Sequence, residues 1–219
     1  MEKTIIYIVR HGESIGNKMR QFLGHTDLDL SELGYKQAEV TARELSSVKL
    51  DAIYSSDLLR AFNTAKPHAA IRGLNVITNR GLREMFVGEW EGLYVEDIIS
   101  RYGEDMFLKD WHGKFGTFKF PSGEGTIEAG RRFYNTVVDI ASENPGKTIL
   151  IAAHAAVIRA FWSIISEVAP EEIVEKIPFA TNASYSVCEF SEGKLRPIRY
   201  SVDEHLAEVG ITRVIAEAK

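Results

Sequence analysis

The sequence of 219 residues contains little of what holds small secreted domains together. Cys188 is its single cysteine, so the chain cannot form an internal disulfide framework, which suits a reducing compartment. Its six prolines are scattered, and we find no low-complexity segment, no obvious repeat and no linker rich in proline and glycine. These absences predict one continuous domain over residues 1–219.

Long apolar runs are also missing. No stretch approaches the roughly 18 consecutive apolar residues that a membrane-spanning helix needs. The N-terminal apolar run, Ile5 to Val9, is too short for the core of a signal peptide. We therefore expect a cytoplasmic protein.

Neither sign of charge dominates. The chain has 26 Lys and Arg against 31 Asp and Glu, which gives a net charge of −5. This balance argues against a nucleic-acid-binding or membrane-binding surface spread over the whole protein. A small-molecule partner and a homodimer both remain open.

The hydrophobic residues are arranged as short strands that alternate with helices. Six short, mostly β-branched segments bounded by turn residues predict strands at 4–9, 52–54, 75–78, 148–152, 184–190 and 196–200. Helical spacing and capping residues predict helices at 32–48 after Ser31, 58–71 after Asp57, 126–143 and 155–166. This alternation indicates an α/β sheet that is covered on both faces. Residues 89–120 are different, and we expect an irregular helical excursion there.

Polar side chains follow three of the predicted strands, where ligands of open α/β sheets bind. Arg10 and His11 come directly after the first strand, where burial is costly without a partner or ligand. Arg60 lies near the start of the helix after the second strand, where a bound anion would offset its unfavourable position in the helix dipole. His154 lies between small residues at a helix N-terminus, which can bind an anion.

Each of these residues alone has an ordinary explanation, such as a solvated arginine or a hydrogen-bonded core histidine. Together, two histidines and two arginines in one crevice would form a site for a phosphoryl group, because the guanidinium fork matches phosphate oxygens. A neutral imidazole can act as a nucleophile. Neighbouring positive charges should lower its pKa and keep it neutral near pH 7.

These residues carry a resemblance to a known family. Residues 8–14, Ile-Val-Arg-His-Gly-Glu-Ser, with Asn17 resemble the signature of the histidine phosphatase superfamily, in its phosphoglycerate-mutase-like branch. Further segments resemble motifs of this family in the family order, at 29–38, 55–65, 82–92, 121–124 and 154–159. The resemblance implies a three-layer α/β/α sandwich with a mostly parallel central sheet. It also implies a metal-independent phosphatase that uses no cofactor and acts on small phosphomonoesters.

The resemblance also implies roles for individual residues. His11 would attack phosphorus and form a phosphohistidine, while Arg10, Arg60 and His154 would hold the phosphoryl oxygens.

Further residues would support that transfer. Asn17 and the backbone N–H of Ala155 would add hydrogen bonds to the phosphoryl group. Glu84 would protonate the leaving oxygen and then activate water. Glu13 and Glu91 also lie in matching motifs, and we interpret them as supporting residues.

Several alternatives stay open at this stage. A phosphoglycerate mutase or related phosphotransferase would use the same intermediate. A metal-dependent hydrolase with His11, His154 and Glu84 as ligands is disfavoured by the arginines, and a regulator with a degenerate site is a further possibility.

The sequence departs from the family pattern at residues 153–156, which read Ala-His-Ala-Ala instead of the common Ser-His-Gly-Gly. Alanine is harmless there if φ is negative and strained if φ is positive. Residues 22–27 and 89–120 are expected to select the substrate. In the second segment, Trp111, Phe115 and Phe118 could form a substrate wall or simply pack against helices.

Overall fold

A computed structural model of the chain describes residues 2–212. Its strands are β1 (Thr4–Arg10), β2 (Ala52–Ser55), β3 (Val76–Thr78), β4 (Thr148–Ala153), β5 (Tyr185–Ser191) and β6 (Lys194–Val202). They form one sheet in the order β3-β2-β4-β1-β5-β6. The first four strands are parallel, β5 is antiparallel to β1, and β6 is antiparallel to β5. The prediction of a mostly parallel sheet is therefore confirmed.

Helices cover both faces of this sheet. They are α1 (Ile15–Lys18), α2 (Glu32–Glu44), α3 (Leu59–Arg72), α4 (Val95–Tyr102), α5 (Thr126–Ser142), α6 (Ala155–Ile165) and α7 (Ile173–Lys176). Successive side chains of a strand point to opposite faces, so β1 contributes to two clusters. Ile6 and Ile8 pack with α5 and α6, whereas Val9 packs with α3 and with Leu45 at the end of α2. This is the expected three-layer sandwich.

The predicted helix caps had different outcomes. Ser31 caps α2, because its side chain accepts a hydrogen bond from the Gly34 N–H. The prediction that Asp57 caps the next helix is wrong: α3 begins at Leu59, and Leu58 is its N-cap residue. Asp57 instead forms a bidentate ion pair with Arg83, whose Nε and Nη2 donate to the two carboxylate oxygens at 2.7 and 2.6 Å. A guanidinium competes well for a carboxylate that could otherwise bond only to backbone N–H groups.

The expected excursion is helical and irregular. It contains a 3₁₀ turn at Gly88–Trp90, helix α4, a π-helical segment at Met106–His112 and a second 3₁₀ turn at Phe115–Thr117. Gly88 lies where the excursion leaves the core, with φ at +55° and Pro121 O only 2.1 Å from the position of an added Cβ. Only glycine fits this close approach. Among residues 2–212, no helix combines the length and apolar character that crossing a membrane requires.

Candidate active site

The two histidines meet at one edge of the sheet because their strands are neighbours. β1 pairs with β4 in a register that sets Arg10 opposite Ala153, and each strand is followed directly by its histidine. The His11 N–H donates to Ala153 O at 2.9 Å. The ring centroids of His11 and His154 are 5.2 Å apart, and both side chains are buried.

His11 is oriented by its own loop. Its Nδ1 lies 2.7 Å from Gly12 O, and since a carbonyl can only accept, Nδ1 carries the proton. The lone pair of the neutral ring is therefore on Nε2. Burial lowers the pKa of His11 well below its ordinary value, and Arg60 and Arg10 lower it further by repulsion. His11 is thus neutral near pH 7, with Nε2 as a potential nucleophile.

Two buried arginines border the same site. Arg10 Nη1 donates to Ala180 O at 2.6 Å. The two terminal nitrogens of Arg60 donate to Thr26 O and Gly24 O at 2.9 and 2.8 Å. Burial lowers the pKa of Arg60 to about 10, so the guanidinium remains charged at neutral pH. Carbonyl acceptors orient these side chains without forming an ion pair with them.

His154 is the N-cap residue of α6 and is fully buried. Within residues 2–212, neither of its ring nitrogens has a hydrogen-bond partner. Burial lowers its pKa well below the ordinary value, and Arg60 and His11 contribute repulsion. An unpartnered buried imidazole is costly, so a bound oxyanion or water would relieve a penalty that the fold otherwise carries.

The carboxylate of Glu84 lies at the N-terminus of α6, a position that the sequence analysis did not predict. Its Oε1 accepts from the N–H groups of Met85 and Val157, at 2.9 and 3.0 Å, and its Oε2 accepts from the Ala156 N–H at 3.1 Å. A carboxylate is favourable at a helix N-terminus. Part of the expected anion-binding helix start is therefore taken by Glu84, whereas Ala155 lines the cavity beside it.

The departure at residues 153–156 is compatible with the backbone. Ala155 and Ala156 are the first two residues of α6, and neither has a positive φ. Alanine is the most favourable residue in a helix, so the two methyl groups cause no strain. They line the cavity next to His154.

Asn17 is held so that its amide lines the cavity. Its Oδ1 accepts from the Ser14 N–H at 3.1 Å and from Asn182 Nδ2 at 3.2 Å, which leaves the Nδ2 group as a donor for a ligand. Asn182 also donates to His11 O at 3.1 Å. Asn182 was not among the predicted site residues, and it follows no motif that would have identified it.

The two acidic residues predicted to support the site, Glu91 and Glu13, accept hydrogen bonds from neighbouring segments. Both carboxylate oxygens of Glu91 accept backbone N–H groups of His25 and Thr26, at 2.8 to 3.1 Å. This fixes the loop whose carbonyls hold Arg60. Glu13 accepts from the Ser31 hydroxyl at 2.7 Å, next to the start of α2.

A further supporting pair was missed. Arg132, on α5, donates to Gly81 O, Arg83 O and Glu84 O at 2.9 to 3.0 Å, and it forms a bidentate ion pair with Glu124. It therefore holds the backbone of the segment that carries the Glu84 carboxylate. Glu124 belongs to a matching motif, but its partner lies eight residues away and shows no pattern of its own.

One cavity that is open to solvent is lined by six of the predicted site residues: Arg10, His11, Asn17, Arg60, Glu84 and Ala155. The seventh, His154, is buried beside His11 and does not line it. The expected specificity segments contribute to the lining of this cavity, with residues 22–24 and Phe107, Trp111 and Phe120. Of the three aromatic residues considered as a wall, Trp111 lines the cavity, whereas Phe115 and Phe118 pack behind it. The remaining apolar lining was not predicted and comes from Met85, Val87 and Phe179.

Comparison with known proteins agrees with this geometry. The family profile of the histidine phosphatase superfamily, branch 1, matches residues 6–203. The chain belongs to this family. It is 31% identical over 204 residues to phosphoserine phosphatase 1 of Hydrogenobacter thermophilus, covering 93% of this chain and 94% of the relative. It is 34% identical over 209 residues to phosphoglycerate mutase-like protein 4 of Arabidopsis thaliana, covering 94% and 88%.

The fold is shared with solved structures of the family. The structure of Bacillus stearothermophilus YhfR is similar with a TM-score of 0.85 at 26% identity, covering 93% of this chain and 99% of that one. The expected family, the α/β fold and the enzyme class, a phosphoric monoester hydrolase, are confirmed.

Proposed function

We propose that this histidine phosphatase hydrolyses small phosphomonoesters without a metal ion, through a phosphohistidine formed on Nε2 of His11. The observation that carries the proposal is the His11 ring itself. It is buried and neutral, its Nδ1 is bound to Gly12 O, and its Nε2 is left as the nucleophilic atom beside two arginines and a second histidine.

The surrounding groups suit a phosphoryl transfer, in which positioning and charge stabilisation supply most of the catalysis. Arg10, Arg60 and Asn17 can donate to the equatorial oxygens. His154 can donate one hydrogen bond when neutral and two when protonated. Its lack of a protein partner within the described residues supports a role in binding the phosphoryl group. The Ala155 N–H at the start of α6 is a further donor.

Glu84 is the proposed general acid and base. In its protonated form it would give its proton to the leaving oxygen while His11 takes the phosphoryl group. The carboxylate formed in this way would then remove a proton from the water that attacks the phosphohistidine. The second step returns His11 and releases inorganic phosphate, so each proton that Glu84 gives is recovered. Its carboxylate lines the same cavity as His11, which supports this role.

Transfer to an acceptor other than water is the second candidate, because one relative is described as phosphoglycerate mutase-like. The two reactions share their first half and differ in what attacks the phosphohistidine. Phosphate release without an added acceptor supports the phosphatase. Transfer to 3-phosphoglycerate without phosphate release would support the mutase.

The test is phosphate release from a panel of phosphomonoesters by the wild type, His11→Ala and His112→Ala. His112 lies in the excursion and does not line the cavity, so it is a matched control. We expect His11→Ala to abolish release and His112→Ala to retain it. When the wild-type reaction is quenched and digested without acid, which would hydrolyse a phosphohistidine, mass spectrometry should find the phosphoryl group on the peptide that contains His11. Undiminished release by His11→Ala would exclude the covalent mechanism.

A metal-dependent mechanism has a separate test. Within residues 2–212, no group of three or more His, Cys, Asp or Glu side chains is arranged to hold a metal ion. We expect activity to survive EDTA. Loss of activity with EDTA and its return with zinc would contradict the proposal.

A further inference from the structure

The cavity beside the two histidines is bounded by an aromatic wall. This wall consists of five rings that all line the cavity: Phe22, Phe107, Trp111, Phe120 and Phe179. Trp111 lies at its centre, with ring centroids 5.8 Å from Phe22, 4.9 Å from Phe120 and 6.3 Å from Phe179. Rings at these separations attract each other, so the wall is a continuous apolar surface.

The wall is held rigidly from behind. The Arg159 guanidinium lies 4.1 Å from the centroid of Phe179 and 4.7 Å from that of Phe115. Its Nε donates to Ile177 O at 2.6 Å, which fixes the segment that leads to Phe179. Four of the five rings are buried in the hydrophobic core as well as bordering the cavity. A ligand would therefore meet a surface that is formed before binding, which lowers the entropic cost of ordering it.

Few charged side chains line the cavity. Among the described residues that line it, the only lysine or arginine side chains are Arg10 and Arg60, which border His11. The only carboxylate in that lining is Glu84. Gln21, which precedes Phe22 in the sequence, adds a polar side chain to the lining. Its Nε2 already donates a hydrogen bond to Gly92 O.

This distribution disfavours a leaving group that carries a carboxylate. With the phosphoryl group between the arginines, such a carboxylate would have the aromatic wall and Glu84 as neighbours, and no further lysine or arginine among the described residues that line the cavity. Burying a charge without a partner is unfavourable. A ring or branched apolar group would instead replace water along the wall.

We propose that the preferred substrates are phosphate monoesters of apolar, ring-bearing alcohols, rather than phosphoserine or phosphoglycerate. This inference rests on the proposed phosphatase function and specifies its substrate class. The leaving group stacks against Trp111 and Phe22, while the phosphoryl group occupies the site between the two histidines and two arginines.

The first test compares kcat/KM for 2-phenylethyl phosphate, O-phosphoserine and 3-phosphoglycerate. All three have alkyl oxygens as leaving groups, so aryl activation does not decide the ranking. We expect 2-phenylethyl phosphate to be favoured by roughly tenfold or more, since even one methylene in an apolar pocket can contribute this much. Equal or greater kcat/KM for either carboxylate-bearing substrate would overturn the inference and leave the phosphatase proposal intact. Absence of phosphate release from every monoester would overturn both.

The second test separates the wall from general packing. Phe22→Leu removes one ring of the wall, and Phe62→Leu makes the same change at a half-buried phenylalanine that does not line the cavity. We expect Phe22→Leu to raise KM for 2-phenylethyl phosphate roughly fivefold, with Phe62→Leu unchanged. Inhibition by inorganic phosphate should be unchanged in both variants, because the arginines and histidines are untouched. Equal effects of the two substitutions would overturn the role of the wall.

A gain-of-function variant completes the test. Gln21→Arg adds a cation to the lining next to the wall. We expect kcat/KM for O-phosphoserine to rise relative to that for 2-phenylethyl phosphate. An unchanged ratio in the folded variant would show that charge in this part of the cavity does not select the substrate, contrary to the inference.

Discussion

Arg132 offers a test of how the fold positions Glu84, because it contacts the backbone of that residue and not the cavity. Its Nη2 donates to Glu84 O at 3.0 Å, and its Nη1 donates to Gly81 O and Arg83 O. Its Nε and Nη2 also pair with the Glu124 carboxylate, both at 2.9 Å. Arg132→Lys keeps the positive charge but replaces the planar fork with a single nitrogen.

The size of the effect can be worked out from these contacts. One ammonium cannot reach three carbonyls and both carboxylate oxygens, so we assume that about two carbonyl bonds are lost, each contributing ~1 kcal/mol. A loss of about 2 kcal/mol in the free energy of unfolding lowers Tm by roughly 4–8 °C in a chain of this size. General acid–base catalysis contributes ~10²–10⁴ to rate, so a displaced Glu84 should lower kcat by roughly tenfold or more.

Arg131→Lys is the matched control, because Arg131 is the neighbouring arginine on α5 and is exposed. The assay measures Tm, kcat with a phosphomonoester and the inhibition constant of inorganic phosphate. We expect Arg132→Lys to lower Tm and kcat while phosphate inhibition stays unchanged, and Arg131→Lys to match the wild type. If kcat were the same in both variants, or if phosphate inhibition weakened as much as kcat fell, the positioning argument would be refuted.

Three further predictions concern single residues. Glu84→Gln should lower kcat for an alkyl phosphate by ~10²–10⁴, as measured by phosphate release, since the amide can neither protonate the leaving oxygen nor activate water; an unaltered kcat would contradict it. Gly12→Ala should lower the free energy of unfolding by about 3 kcal/mol in a denaturant titration, because the added Cβ would lie 2.4 Å from Gly34 O; a near-neutral effect would contradict the close approach. Burial lowers the pKa of His68 to about 3. Between pH 6.5 and 3 the unfolded state therefore binds more protons than the folded state. The free energy of unfolding then falls with falling pH, by up to ~1.4 kcal/mol per pH unit. His68→Leu should therefore reduce the loss of Tm between pH 7 and pH 4.5, and an identical pH dependence in the variant would count against this.

The strands, the main helices and the shared position of His11 and His154 could be predicted from the sequence, because each depends on a local pattern. Apolar runs followed by polar residues mark where β1 and β4 end. The sequence did not establish that these two strands pair directly. That pairing brings the histidine rings within 5.2 Å of each other.

The parts that could not be predicted are contacts between distant residues. Asp57 has the residue type and place of a helix cap, but Arg83 lies within reach and competes for it. The bonds from Arg132 to the Glu84 segment span 48 to 51 residues and leave no periodic signal. Aromatic residues occur both in cores and in binding sites, so sequence alone could not separate Trp111 from Phe115 and Phe118.

The net charge of −5 and a phosphate-binding site are compatible because the charges act over different distances. Surface carboxylates are screened within about 8–10 Å at physiological ionic strength, whereas a buried guanidinium is screened much less. Arg60 is buried and bonds to the carbonyls of Gly24 and Thr26, which satisfy its donors without cancelling its charge. The nearby Glu84 carboxylate is in turn bonded to the N-terminus of α6, where the helix dipole offsets part of its negative charge. A local positive site for one phosphoryl group can thus exist on an acidic protein, while the overall charge still opposes a large polyanion.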